Sequence, residues 1–320
     1  MLTQQDFLTL RDHMQTVIVG QGHLIDCIMI GVLTGGHLLL EGAPGLAKTT
    51  AIKTLASGIH ASFARIQFTP DLMPSDLTGS DVFDPKQAGF EFVPGPLFHE
   101  IILADEINRA PPKVQSALLE AMEEHQITVS HHTHPLPELF VVMATQNPLE
   151  QAGTYPLPEA QLDRFLLHVP IGYPDQTEEL EILRRDRQTH FGHDHKAKET
   201  LLDPETVLKA RREVAEIHIE PKLEEYVVKL VQATRDLRDW IPEWQAYVEF
   251  GASPRASLAL VRSASAYAYL HGRDYVIPDD IIAMAPNVLR HRLMLSYSAQ
   301  ANQVGADQII QRLLEIVPIP

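Results

Sequence analysis

The stretch EGAPGLAKTT, residues 41–50, follows directly after an apolar run and decides how the first half of the chain is interpreted. It nearly matches the pattern G-x-x-x-x-G-K-[ST]: Gly42, Lys48 and Thr49 stand in the expected places, and Ala47 replaces the second glycine. A loop between a strand end and a helix start directs several backbone N–H groups to one point, which favours an anion. The stretch therefore predicts a phosphate-binding loop in which Ala47 costs little if its φ is negative.

Two side chains of this loop fit specific tasks. A lysine in the first helical turn reaches the outer phosphates, and the hydroxyl that follows it can ligate Mg²⁺. Lys48 and Thr49 are those residues here. So short a pattern also arises by chance, and the alternative is a strand end that contains an unrelated lysine. The other motifs of the chain have to decide between the two.

Length, charge and cysteine content limit the class of protein. The 320 residues allow two domains with substantial cores, and the formal charge of -16 disfavours broad binding to nucleic acid. The single cysteine, Cys27, excludes an intramolecular disulfide and indicates a reducing compartment. No stretch approaches the roughly 18 apolar residues of a spanning helix, and the N-terminus lacks the pattern of a signal peptide. We predict a cytoplasmic protein without a membrane span.

Apolar runs of strand length alternate with helical patterns in the first half of the chain. The runs are residues 37–40, 63–68, 100–104, 139–144 and 165–170. Between them, residues 48–59 and 112–124 place their apolar side chains on one face of a helix. This alternation predicts an α/β fold, with a largely parallel sheet that is covered by helices on both sides.

The domain organisation follows from where this rhythm is interrupted. Residues 75–97 and 125–140 are rich in turn residues, and we expect two inserted hairpins there. From about residue 175 only helical patterns remain, after a polar, histidine-rich segment at 189–199. We therefore predict a core domain over residues 1–175, an exposed linker over 176–200 and an all-helical domain over 201–320.

Two consecutive carboxylates end the apolar strand in FHEIILADEINRA, residues 98–110. Successive residues at a strand end point in different directions. One of the two, Asp105 or Glu106, can therefore hold the water shell of Mg²⁺ while the other faces the water that attacks the γ-phosphate. The alternative is an exposed acidic turn, which the position about sixty residues after the lysine loop disfavours.

Three further polar residues complete the candidate set. Asn147 ends the strand LFVVMATQNP, at the edge of the sheet where ligands of open α/β folds bind. Arg164 precedes the next strand and is of the type that stabilises charge in phosphoryl transfer. Arg255 lies in the first turn of a helix, where a cation is disfavoured unless it has an anionic partner. The alternatives are an Asn-Pro turn for Asn147 and ordinary ion pairs for the arginines, with Asp163 as one partner for Arg164.

Two groups of histidines raise the question of a metal site. They are His131, His132 and His134 in a predicted loop tip, and His190, His193 and His195 in the predicted linker. No cysteine accompanies either group, and the sequence shows no partner that would orient the imidazoles. We expect exposed histidines that do not bind metal.

Taken in order, these motifs resemble the MoxR family of AAA+ ATPases. The resemblance rests on GAPGLAKT, ADEINRAPPKVQSALLEAMEE, ATQNP, QLDRF and SPRA and covers roughly residues 10–310. The family's phosphate loop usually has alanine before the lysine, so Ala47 fits it. The resemblance implies an AAA+ P-loop core with a five-stranded parallel sheet and a helical lid, with ATP between them and between neighbouring subunits.

The resemblance also implies a role for each candidate residue. The residues implied to bind ATP are Val19, Gly20 and Gln21 near the adenine, Gly42, Ala43, Pro44, Gly45, Leu46, Ala47, Lys48, Thr49 and Thr50 in Walker A, and Asp105 in Walker B. Those implied to act in catalysis are Glu106, Asn147 as sensor one, Arg164 as the arginine finger and Arg255 as sensor two. Mg²⁺ would be held by Thr49 and, through water, by Asp105. The two hairpins match inserts that face the central pore of related rings.

The resemblance finally implies a function. Such proteins are Mg²⁺-dependent ATPases that form rings, here expected to be a homo-hexamer, and that remodel, mature or insert metal into a client protein. They often work with a von Willebrand factor A partner. Two alternatives are a nucleic-acid motor, against which the charge of -16 argues, and a binding module that uses ATP as a switch.

Overall fold

The computed structural model describes residues 3–86, 89–148, 153–191 and 201–320. Its chain forms two compact units. The sheet unit contains Asp6–Leu157 and Val169–Leu208, and the helical unit contains Met1–Gln5, Pro158–His168 and Lys209–Pro320. Within the described ranges, no helix is both long and apolar enough to cross a membrane.

The main sheet has five strands in the order β2-β5-β8-β1-β9. Their bounds are β1 (Leu38–Glu41), β2 (Phe63–Gln67), β5 (Ile101–Asp105), β8 (Val141–Gln146) and β9 (Leu167–Pro170). The pairs β1–β8, β5–β8 and β2–β5 run parallel. The central strands are almost wholly buried, as expected of parallel strands covered on both faces, which explains their continuous apolar runs. The predicted α/β fold with a five-stranded parallel sheet is confirmed.

The helices before residue 192 begin and end where the sequence provides signals. They are α1 (Gln4–Val17), α2 (Gly22–Thr34), α3 (Lys48–Gly58), α4 (Pro74–Thr78), α5 (Pro112–Glu124), α6 (Glu159–Leu162) and α7 (Gln176–Phe191). Helix α3 begins at the lysine of the predicted phosphate loop, and α5 begins with a proline, whose fixed φ suits the first helical position. The apolar stripe of α1, formed by Phe7, Leu10 and Met14, is completely buried.

Both predicted insertions contain antiparallel hairpins. The strands are β3 (Gly79–Asp84) with β4 (Gly89–Pro94), and β6 (Gln126–Val129) with β7 (His132–Pro135). The first hairpin carries exposed apolar side chains, among them Phe83 and Phe90, whose rings make an edge-to-face contact at 5.5 Å.

The first part of the predicted linker over 176–200 is helical, since residues 176–191 form helix α7. The sequence of this helix is rich in charged residues and has little apolar periodicity, which is why it resembles a linker. Charged pairs one turn apart support it instead: Arg185 Nε lies 2.8 Å from Glu181 Oε1. His193 and His195 lie outside the described residues, and so does the side chain of His190.

The second half of the chain is mainly helical, as predicted. Its helices are α8 (Pro204–Ala215), α9 (Pro221–Ala233), α10 (Pro254–Leu270), α11 (Pro278–Leu289), α12 (Tyr297–Ala301) and α13 (Ala306–Ile316). The expectation of helices alone is wrong, since β10 (Val248–Phe250) pairs with β11 (Met294–Leu295). In α10 the buried face contains Ala256, Leu260 and Ala264, whereas Leu258 is exposed.

Candidate functional site

A cavity of about 830 Å³ opens in the sheet unit beside the carboxyl ends of β5 and β8. Its walls come from the phosphate loop, from the ends of three strands and from helix α7. The lining residues are Val17, Ile18, Val19, Gln21, Pro44, Gly45, Leu46, Ala47, Lys48, Thr49, Thr50, Arg65, Gln67, Asp105, Glu106, Thr145, Asn147, Pro174, Ile182, Arg185 and Asp186. The structure thus brings together the predicted loop, both predicted carboxylates and Asn147.

The backbone of the loop uses the left-handed region twice. Gly45 has φ of 86° and Ala47 has φ of 58°. The premise of a negative φ at Ala47 is therefore wrong, and the left-handed conformation costs an L-residue about 1 kcal/mol. At Gly42 the requirement for glycine is steric, because a Cβ there would lie 2.8 Å from the carbonyl oxygen of Ile171.

Lys48 lies at the N-terminus of α3 with its amine turned back onto the loop. Its Nζ donates to the carbonyl oxygen of Gly42 at 2.7 Å. Burial lowers the pKa of Lys48, while the charges of Asp105, Glu106 and Glu41 act in the opposite direction. Burial removes part of the hydration of this ammonium, and an anion bound beside it would offset that loss.

Asp105 is fixed by two hydrogen-bonding partners at the end of β5. The hydroxyl of Thr145 donates to Oδ1 at 2.6 Å, and Arg65 Nη2 lies 2.6 Å from Oδ2. The same hydroxyl accepts from the backbone N–H of Glu106 at 2.9 Å. Thr145 on β8 therefore orients both members of the Asp-Glu pair through one oxygen.

Glu106 follows Asp105 in a left-handed backbone conformation, with φ of 58°. Its Oε2 accepts from Gln67 Nε2 at 2.7 Å and lies 3.2 Å from Arg109 Nε. Left-handed backbone at a non-glycine residue clusters at functional sites, where it re-aims the side chain relative to the regular strand. Asp105 and Glu106 are consequently held by different partners, as their different predicted tasks require.

Sequence reasoning missed Arg65, Gln67 and Thr145. A signal was present for the first two, because residues 65 and 67 alternate along β2 and share one face at the carboxyl end of the strand. Thr145 is one of few polar residues in the buried strand β8, two positions before Asn147. Asn147 is itself buried and lines the cavity.

The residues predicted near the adenine have different environments. Val19 and Gln21 line the cavity, whereas Gly20 does not and adopts φ of 70° instead. A Cβ on Gly20 would lie within 2.4 Å of the carboxyl group of Glu178. Helix α7 adds Ile182, Arg185 and Asp186 to the walls, which the prediction of a linker had placed outside the site.

The two predicted catalytic arginines belong to the helical unit. Arg164 lies in the turn between α6 and β9, and Arg255 lies in the first turn of α10, as predicted. Asp163, considered above as a partner for Arg164, forms an ion pair with Arg292: its Oδ1 lies 2.7 Å from Arg292 Nε.

The three histidines of the first group belong to the second hairpin. His131 is at the turn, and His132 and His134 lie on β7. The ring of His134 stacks on Phe92 with a centroid distance of 3.9 Å. Among the residues that the structure describes, no group of three or more His, Cys, Asp or Glu side chains is arranged to hold a metal ion.

Comparison with known proteins agrees with this geometry. Residues 37–167 match the model of the ATPase family associated with various cellular activities (AAA), and residues 245–313 match the AAA lid domain. The chain is 45% identical over 305 residues to Chaperone MoxR1 of Mycobacterium tuberculosis, covering 95% of this chain and 80% of that protein. It is 32% identical over 321 residues to Protein MoxR of Methylorubrum extorquens, covering 95% and 92%. The chain belongs to the MoxR family of AAA+ ATPases.

A solved structure supports the same assignment for this MoxR protein. A crystal structure of a candidate ATPase from Cytophaga hutchinsonii superposes with a TM-score of 0.92 at 44% identity, covering 100% of this chain and 96% of that one. Residues 245–313 are accordingly an AAA lid, and the protein is an ATPase of a family that binds nucleotide.

Proposed function

We propose that this MoxR protein hydrolyses ATP in a ring and uses the energy to remodel a client protein. The observation that carries the proposal is the single cavity lined by Lys48, Asp105, Glu106 and Asn147 at the end of the parallel sheet. A cation, two separately oriented carboxylates and an amide beside a phosphate loop are the groups that hydrolysis of a γ-phosphate needs.

Lys48, the N–H groups of the loop and the N-terminus of α3 would hold the phosphates. Residues 44–50, which contain the loop, Lys48 and the start of α3, all line the cavity, and a helix N-terminus favours an anion. Val19 and Gln21 line the same cavity and are proposed to contact the base. Gly20 is proposed to support them through its left-handed backbone.

Thr49 and Asp105 fit a magnesium ion, because hard oxygen donors are what Mg²⁺ requires. Thr49 lines the cavity, and the Asp105 carboxylate is fixed by Thr145 with its second oxygen toward Arg65, a half-exposed side chain that can be displaced. When bound, Mg²⁺ would neutralise charge that develops on the phosphate oxygens. Thr145 keeps Asp105 oriented for this task.

Glu106 is proposed to accept the proton of the attacking water, with Asn147 orienting that water. Both residues line the cavity, and Glu106 is held by Gln67 and Arg109. The amide of Gln67 and the guanidinium of Arg109 hold the carboxylate in one position, and a general base must be placed within reach of the proton that it accepts.

Arg164 and Arg255 are proposed to act as arginine finger and sensor two. The support is their position in the helical unit together with the family relation. A finger that acts on a neighbour's nucleotide requires an oligomer, and we propose a homo-hexameric ring in the cytoplasm. Because a relative is named as a chaperone, we propose remodelling, maturation or metal insertion in a client, with a von Willebrand factor A partner.

The substitution Glu106→Gln tests the catalytic part of the proposal. The amide keeps the size of the side chain but cannot accept the proton, so we expect kcat to fall by about 100-fold or more while ATP remains bound. Lys48→Ala is the matched control and should lose nucleotide binding itself. Single-turnover hydrolysis and equilibrium nucleotide binding separate the two, and normal turnover by Glu106→Gln would refute the assignment.

The same variant tests the client and the ring. An ATP-bound Glu106→Gln protein should elute as a larger species than Lys48→Ala and should retain a partner protein in a pull-down that Lys48→Ala does not. Equal elution of the two variants, with an active wild-type enzyme, would show that hydrolysis does not depend on a nucleotide-stabilised ring.

A further inference from the structure

One carboxylate in the helical unit bridges the two segments that carry the candidate catalytic arginines. Asp163 Oδ1 accepts from Arg292 Nε at 2.7 Å, and Oδ2 accepts from the hydroxyl of Ser253 at 2.9 Å. Asp163 directly precedes Arg164, and Ser253 lies two residues before Arg255. Asp163 therefore links the segment that contains Arg164 both to Arg292 and to the start of the helix that contains Arg255.

Arg292 donates hydrogen bonds to the backbone on both sides of Arg164. Its side chain is only 3% exposed. Besides Asp163, its guanidinium donates to four backbone carbonyl oxygens, which belong to Asp163, Phe165, Leu166 and Val288. A planar group with several donors in fixed directions can hold such a turn in one conformation. The turn 163–166 is thus fixed by the side chain of one buried residue from outside it.

Ser253 performs the corresponding task at the other arginine. It is the N-cap of α10, and its hydroxyl oxygen accepts from the backbone N–H of Arg255 at 3.2 Å. The same hydroxyl donates its proton to Asp163. One hydroxyl therefore fixes the first turn of the helix and ties that turn to the carboxylate.

The electrostatics agree with this proximity. Burial lowers the pKa of Arg292, the Asp163 carboxylate opposes that shift, and the positive charge of Arg255 adds to it. The negative charge of Asp163 offsets the repulsion between the positive charges of Arg292 and Arg255.

We infer that Asp163, Arg292 and Ser253 are positioning residues that hold Arg164 and Arg255 as one rigid pair. The inference rests on the proposed function, because it assigns these three residues to the geometry of that reaction. The three residues would physically connect Arg164, which is proposed to act on the nucleotide of a neighbouring subunit, with Arg255, which is proposed to act on the nucleotide of its own subunit. The three residues act through the arginines and have no proposed contact with ATP.

Ser253→Ala is the most direct test, because it removes one oxygen atom and spares the buried ion pair. We expect kcat for ATP to fall by about tenfold, with KM for ATP changing less than about threefold, because a small misplacement of a charged group mainly affects the transition state. Ser253→Thr retains the hydroxyl and should recover kcat to within about twofold of the wild type. The matched control is Ser296→Ala, which removes the N-cap hydroxyl of α12 elsewhere in the helical unit and should leave kcat unchanged.

Asp163→Asn provides a second, larger test. It should lower kcat by about tenfold or more at a temperature where the variant is folded. Its control is Asp280→Asn, which breaks another buried ion pair of the helical unit, where Asp280 Oδ1 lies 2.5 Å from Arg273 Nη2. We expect Asp280→Asn to lose stability but keep kcat, whereas Asp163→Asn should lose kcat as well.

Glu106→Gln, assayed in parallel, distinguishes a failure of the positioning role from a failure of the proposed ATP hydrolysis. If Glu106→Gln is inactive while Ser253→Ala and Asp163→Asn both keep wild-type kcat, the positioning role is overturned and the proposed hydrolysis stands. An equal loss of kcat in the Ser296→Ala or Asp280→Asn control also overturns it, since damage to the fold would then suffice. If Glu106→Gln hydrolyses ATP normally, the proposed function and the positioning role fall together.

Discussion

Asp105 and Asp163 make an instructive pair, because each directly precedes a candidate catalytic residue and each forms an ion pair with an arginine. Asp105 meets Arg65, whose side chain is 47% exposed, across 2.6 Å in the cavity of the sheet unit. Asp163 meets Arg292, whose side chain is 3% exposed, across 2.7 Å in the helical unit. The distances are nearly equal, and the surroundings differ completely.

The difference separates an exchangeable contact from a permanent one. Water can replace a half-exposed arginine such as Arg65 at little cost, and such pairs contribute about 0–1 kcal/mol. Arg292 is surrounded by protein acceptors, so removing it takes a donor away from Asp163 Oδ1 and from several buried carbonyl oxygens. The carboxylate in the cavity is therefore accessible for exchange with another partner, as the proposed function requires, whereas the carboxylate in the helical unit is part of the framework.

Replacing the two arginines in turn should show the largest contrast. We expect Arg292→Met to lower the free energy of unfolding by about 3 kcal/mol, because it breaks a buried pair from one side. Arg65→Met should lower it by less than about 1 kcal/mol. Urea denaturation followed by circular dichroism measures both. A similar loss for the two variants would remove the distinction between a permanent and an exchangeable pair.

Acid should lower the stability of the helical unit through His291, which lies beside Arg292. Burial, followed by the charges of Arg292 and His168, holds the pKa of His291 well below its usual range, and one ring nitrogen lies 3.0 Å from the carbonyl oxygen of Phe165. The imidazole is therefore neutral in the folded protein, whereas the unfolded chain takes up a proton below about pH 6.5. Stability is unaffected above that pH and falls beneath it, by at most about 1.4 kcal/mol per pH unit.

The measurement is the slope of the unfolding free energy against pH between about 6.5 and 5. His291→Phe should show a shallower slope than the wild type, since the group that titrates on unfolding is gone. His132→Phe, which removes an exposed histidine on β7, is the control and should keep the wild-type slope. A slope unchanged in His291→Phe would place the acid sensitivity elsewhere.

The smallest effect is expected at the exchangeable pair itself. Arg65→Met removes a cation that competes for Asp105, so the concentration of Mg²⁺ giving half-maximal ATPase activity should fall by about two- to fivefold. Arg312→Met, which breaks an exposed pair with Glu315 in the lid, is matched in exposure and should leave that concentration unchanged. An increased requirement for Mg²⁺ in Arg65→Met would indicate that Arg65 helps to build the site instead of competing for it.

The sequence predicted those parts of the molecule whose signal is local. Apolar runs and helical periodicity located the strands of the sheet, because buried parallel strands exclude polar side chains over several residues. The loop before Lys48 was recognisable because its residues must fit a phosphate through contiguous backbone. The hairpins were recognisable from their turn residues.

The parts that were missed depend on long-range partners. Helix α7 lines the cavity with Ile182, Arg185 and Asp186, but its charged composition resembles a linker until the cavity beside it is known. Arg65 carries no local motif, and its task is defined only by Asp105, forty residues later in the chain. The left-handed φ of Ala47 could not be predicted from the local sequence either, because residues other than glycine strongly prefer a negative φ.

The backbone of Glu106 has a consequence for how inactive variants of this enzyme are chosen. With φ at 58°, this position places its residue in a region that glycine and asparagine enter more readily than most L-amino acids. An alanine there would remove the carboxylate and shorten the side chain without relieving the torsion, and it would also deprive Gln67 and Arg109 of their acceptor. Glutamine preserves length and acceptor, so a loss of turnover in that variant reports on proton transfer, whereas glycine would additionally loosen the junction between β5 and the residues that follow it.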